Sequence, residues 1–145
     1  MNIVKPLKDL NWQLSPKKLF FCKKDISILL LASLIGTYLD LYFVGKGYYS
    51  FPYRLFPTIF SINIAFTLVI LPIFTYLLIL FVKKMDGLKG LGVLILVSLI
   101  IACMEKFSEE VGFFIHHEQW KHLYSFFGYF LYLVVMWGFY RWVNK

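Results

Sequence analysis

The chain has 145 residues, of which 60% are hydrophobic, 21% aromatic and only 16% charged, with a formal net charge of +7 and a mean hydropathy of +0.71. This balance excludes a soluble globular domain, and it assigns the chain to integral membrane proteins, in which about 20 apolar residues make one span. The expected fold is all-α: an antiparallel four-helix transmembrane bundle (26–145) preceded by a short basic interfacial segment (1–25).

In that N-terminal segment Lys5, Lys8, Lys17, Lys18, Lys23 and Lys24 outnumber Asp9 and Asp25, with Trp12, Leu14, Leu19, Phe20 and Phe21 interleaved. The apolar stretch 19–22 is too short for a signal-peptide core, so no cleavage is expected. Ser15 followed by Pro16 suits a helix start. Lysines among aromatic residues fit a positive-inside anchor in the headgroup layer, with acidic lipids as the sharper candidate partner; nucleic acid is not expected.

The first span, 26–44, carries the small residues Ala32, Ser33 and Gly36, which permit close helix contact. Asp40 lies about 21 Å along the axis from Ile26, inside the far part of the hydrocarbon, where an acid is costly unless it faces protein, water or a cation. The connection 45–57 breaks helix at Gly45, Gly47, Pro52 and Pro57, yet holds Tyr48, Tyr49, Phe51, Tyr53 and Phe56. It reads either as an aromatic belt along the interface or as a lid that lowers Arg54 onto the acids beneath. The second span, 58–82, is expected to begin with Pro57 at its first turn and to kink at Pro72, with Asn63 and Thr67 on one face for interhelical hydrogen bonds.

The third span, 88–110, ends in acid. At about 100° per residue, Glu105, Glu109, Gly112 and His116 fall on one stripe if the helix continues, while Glu110 and His117 point elsewhere. Glu105 is about 25 Å from Leu88 along the axis, at a depth matching that of Asp40 in the first span. Two acids one turn apart repel, so one must be protonated, neutralised by Arg54 or a histidine, or bound to a cation. The alternatives at this point are a pocket formed by Asp40, Arg54, Asn63, Glu105, Glu109 and His116, or a helix end already in water.

His117 followed by Glu118 does not make a zinc-protease helix, because position 121 is Lys and the next histidine, His122, is a five-residue step away. Phosphate loops, nucleophile elbows and Cys-x-x-Cys pairs are lacking as well. The fourth span, 122–143, is strongly aromatic, which in lipid fits packing and interface anchoring. With both termini cytoplasmic, the basic residues of the N-terminal segment, Lys83, Lys84, Lys89, Arg141 and Lys145 lie inside, leaving Lys46, Arg54, Lys106 and Lys121 outside. In that topology Cys22 and Cys103 are at opposite bilayer faces and read as free thiols.

The segment GTYLDLYFVGKGYYSFPYRLFPTIFSINIAFTLVILP, the Glu-bearing third span and the stretch WKHLYSFFGYFLY resemble a family of small uncharacterised membrane proteins of Bacillus- and Clostridium-type spore-forming bacteria. The likeness runs through most of the chain after the basic N-terminus, and it implies a four-span bacterial membrane protein without indicating an activity or a cofactor. The expected role is therefore a multi-pass, non-enzymatic protein of the cell membrane whose extracytoplasmic-side pocket binds a cation, a proton or a lipid headgroup as a sensor or accessory subunit. The alternatives are an intramembrane metal-dependent lipid-modifying enzyme and a structural subunit that works with a membrane protein partner or as a homo-oligomer.

Overall fold

A computed structural model describes residues 23–118 and 120–145. Residues 1–22 of the expected basic segment, Cys22 among them, lie outside the described residues; Cys103 is an exposed free thiol. The fold is all-α apart from one short ribbon. The helices are α1 (Lys23–Gly45), α2 (Leu71–Val82), α3 (Gly87–Glu110) and α4 (His122–Val143), and β1 (Tyr49–Ser50) of the α1–α2 connection pairs antiparallel with β2 (Ile115–His116) of the α3–α4 connection.

Among the described residues, three helices, α1, α3 and α4, are long and apolar enough to cross a membrane. Their outward faces present Leu30, Leu34, Leu96, Ile100 and Leu131, and α2 adds Leu77 and Phe81, all exposed. An apolar surface of this extent would drive a water-soluble monomer to aggregate, and it is the surface a lipid-solvated helix presents.

The second helical stretch departs from the expected 58–82. Residues 58–63 are not helical, and Pro57 occupies a tight turn closed by the Ile59 and Phe60 N–H groups donating to the Phe56 carbonyl, with Phe56 at φ 53°. The helix starts after Asn63, whose side-chain Oδ1 accepts from the Phe66 N–H at 3.3 Å. Asn63 thus spends its side chain on capping a helix start rather than on the expected interhelical bond, and the buried Thr67 hydroxyl has no hydrogen-bond partner. A π-helical segment, Phe66–Ile70, precedes α2. Pro72 has no N–H and crowds the carbonyl four residues back, and the wider π turn just ahead of it accommodates both defects.

The third helix also ends differently from the expected stripe. Phe113 N–H donates to the Ser108 carbonyl at 2.9 Å and Gly112 N–H to the Glu109 carbonyl at 3.0 Å, with Gly112 at φ 85°. This is a Schellman stop, in which glycine takes the left-handed position at little steric cost. The chain then reverses, and His116 enters β2 opposite Tyr49, so it does not continue the helical stripe of Glu105 and Glu109.

Helix α3 packs on α4, α4 on α1 and α2, and α1 on α2. The buried core gathers at the end of the bundle that holds the α2–α3 turn: Ile28 and Ala32 of α1, Ile79 and Val82 of α2, Leu94 of α3, and Leu133, Met136 and Trp137 of α4. Gly36 extends the buried α1 stripe toward the opposite end, where a Cβ would stand 2.3 Å from a Leu71 methyl. Helices α1 and α3 are not a principal packing pair, which leaves space between them at the end where both loops and the ribbon lie.

Gly90 of α3 faces the Trp137 ring and Val82, with an added Cβ only 2.9 Å from the indole, whereas Gly92 has open space. Gly90→Ala should therefore lower unfolding stability in detergent by about 1–3 kcal/mol through overpacking. Gly92→Ala should leave it unchanged or raise it, and thermal melts of the two variants check the contrast.

Candidate functional site

The space at the loop end is a cavity of about 340 Å³ bounded by α1, α3, α4 and the segment that leads into α2. Apolar residues such as Phe43, Phe66, Ile101 and Met104 make most of its wall, Phe114 and Trp120 roof it, and Asp40, Asn63, Glu105 and Tyr129 supply polar groups. Asp40 and Glu105, matched in depth by their distance along their helices, line this one chamber.

The two acids are served differently. Glu105, whose side chain is only 9% exposed, accepts hydrogen bonds from the Ser125 hydroxyl and the Tyr129 phenol, both on α4. Ser125 in turn accepts from the Trp120 indole N–H at 2.9 Å. Asp40 receives one donor, the Tyr49 phenol at 2.6 Å on Oδ1. Its second oxygen, Oδ2, is buried with no hydrogen-bond partner. Burial and the neighbouring Asp40 charge push the Tyr49 phenol well above its ordinary pKa, so it remains a donor.

His116 sits between two carboxylates. Its Nδ1 is 3.0 Å from Glu109 Oε2, its backbone N–H donates to Glu109 Oε1 at 3.1 Å, and its Nε2 is 3.0 Å from Glu105 Oε1. The Nε2 contact is close but poorly aligned, and this buried nitrogen has no hydrogen-bond partner in good geometry. Burial disfavours the charged ring, yet the proximity and charge of Glu105 and Glu109 outweigh it, so the His116 pKa is raised. The ring lies against Trp120, with centroids 5.8 Å apart and planes 11° from parallel.

Arg54 is not brought to these acids. Its guanidinium donates to the carbonyls of Phe51, Pro57 and Phe60 and so fastens the irregular connection to itself. Asn63 reaches the chamber wall through its position at the start of the helical stretch. Glu109, at 30% side-chain exposure, contacts His116 and His122, whose Nε2 is 3.7 Å away; Glu109 and His116, expected in the pocket, do not line the chamber.

Sequence reasoning missed Tyr49, Ser125, Tyr129 and His122. Ser125 and Tyr129 are four residues apart, hence on one face of α4, and that polar pair was the available signal. Tyr49 and His122 carry no local signal, because their partners are chosen by the ribbon and the turn. Comparison with protein-family models finds no match, and neither the curated proteins nor the solved structures give one.

Glu105→Gln keeps an acceptor for Tyr129 but removes the charge facing His116. It should cost about 2–3 kcal/mol of stability in detergent, as expected for breaking a buried charged contact. Glu110→Gln, on an exposed side of the same helix, should change stability by less than about 0.5 kcal/mol. Parallel thermal or denaturant melts measure both.

Proposed function

We propose that the chain is a four-span membrane protein with both termini in the cytoplasm, and that its chamber binds the cationic amine head of an amphiphile as a non-enzymatic sensor or accessory subunit. Four spans are supported by the three long apolar helices together with the fourth apolar stretch Phe66–Val82, which lies at the short limit of about 17 residues for a crossing. The orientation is supported by the excess of Lys and Arg at the end that holds the α2–α3 turn and Arg141. That orientation turns the ribbon, the chamber and its acids to the extracytoplasmic side.

The observation that carries the ligand assignment is the unpartnered Asp40 Oδ2, buried in a chamber that is otherwise mostly apolar. A buried carboxylate oxygen without a donor is costly, and a ligand that supplies N–H groups removes the cost. The walls accept an alkyl body, and two acids at one end favour a cationic head over a phosphate. A cavity of this size falls in the range of small-ligand pockets, which run from about 300 Å³ upward.

Dodecylamine and dodecanol separate head recognition from alkyl burial. With the protein in lipid nanodiscs, dodecylamine should raise the unfolding temperature saturably and dodecanol should do so far less. Asp40→Asn, which keeps an acceptor for Tyr49 while removing the charge, should weaken the amine by about tenfold or more, in line with the worth of a charged hydrogen bond. Equal protection by amine and alcohol, or undiminished amine binding in Asp40→Asn, would overturn the assignment.

A further inference from the structure

We propose that Glu105, His116 and His122 form a binding site for one divalent transition-metal ion of the zinc type, with Glu109 as the outer carboxylate that orients His116. The three residues come from α3, β2 and the first residue of α4, and one ligand atom from each lies within 4.8 Å of the others. Sequence spacing alone rejects His122 as a helical partner for His117, five residues earlier. The chain reversal before β2 removes that objection, because His116 and His122 approach from different elements, with ring centroids 5.3 Å apart.

Two observations point to an ion rather than to a chance cluster. The His116 side chain is 5% exposed, and its Nε2 is buried without a well-aligned hydrogen-bond partner. That nitrogen and Glu105 Oε1 face each other at 3.0 Å, a spacing two ligands of one ion can adopt. The other ring nitrogen is held by Glu109 at 3.0 Å, which is the carboxylate–imidazole pairing that fixes the ring and tautomer of a metal-bound histidine. His122, with a side chain 46% exposed, has room to swing inward and shorten the remaining gap.

Two imidazoles and one carboxylate favour zinc, cobalt or nickel over magnesium or calcium, which prefer all-oxygen shells. An ion held here joins the ribbon to α3 and α4 directly beneath Trp120, so its occupancy fastens the roof of the chamber. The site does not depend on the amine assignment: the one is tested at His122 and the other at Asp40, and either can fail alone.

The full-length protein, purified in detergent and stripped with a chelator, should bind one Zn2+ per chain by calorimetry and elemental analysis, and its unfolding temperature should rise. Co2+ should bind with visible absorption bands of low coordination number, while Mg2+ and Ca2+ should give no shift. His122→Ala should weaken Zn2+ by about tenfold or more, as loss of one ligand requires, and melt like the parent when metal-free. His117→Ala should bind like the parent. The proposal is overturned if the parent shows no saturable Zn2+ binding, which leaves a proton alone on His116. It is equally overturned if His122→Ala binds Zn2+ undiminished, or if only His117→Ala loses it.

Discussion

Glu105 stands near the end of a helix whose other buried positions are apolar or small, and its carboxyl is almost out of contact with solvent. An ionised acid in such surroundings needs donors from elsewhere in the fold, since its own helix has none to spare. Ser125 and Tyr129 reach it from α4, and His116 reaches it from the ribbon. The α3–α4 pairing and the return of the chain through β2 are therefore tied to one requirement: each brings to Glu105 a group that makes its charge tolerable.

The ribbon is too short to hold itself, because two residues per strand give little backbone pairing. It persists through the side chains it carries. Tyr49 and His116 are directly opposed in register, so they share a face of the ribbon, and from that face Tyr49 addresses Asp40 while His116 addresses Glu105 and Glu109. Phe51, Phe114 and Trp120 pack around the same pair. One small element thus serves acids on α1 and α3 together, which substitutes for the close packing those two helices lack.

Much of this could be read from residue order. Apolar length marks the three long helices, because lipid leaves few other solutions for such stretches. The rise per residue places Asp40 and Glu105 at a common depth, but a stripe that runs on through Gly112 to His116 misses the stop that this glycine makes at φ 85°. The start of the second helical stretch differs from the expected one because Pro57 suits a helix's first turn and a tight turn equally well, and because Asn63, the actual cap, has the side chain of an interhelical donor. Of the two readings of the 45–57 connection, the lid that lowers Arg54 onto the acids rests on chemistry alone; the guanidinium instead finds three carbonyls of the irregular chain around it. The donors to the acids were hidden for a further reason. A tyrosine or serine in an aromatic, apolar helix has the same local pattern whether it faces outward or toward a carboxylate, and only the packing decides between them.

The bundle divides its work along its length. At the end with the α2–α3 turn, Val82 and the Trp137 ring close on Gly90 and leave no room there for a methyl group. At the loop end the helices part, and the interior is held by hydrogen bonds to two acids and by the aromatic roof. Apolar packing tolerates few vacancies, since each void forfeits contacts on all its walls. A chamber with carboxylates in its wall tolerates them better, because a carboxylate can be satisfied by a ligand as well as by the protein. Glu105 has its donors supplied from within; Asp40 has one oxygen satisfied and one left over. That difference is what makes the open end more than a packing defect, because the unmet demand has a chemical sign, and only a donor or a cation answers it.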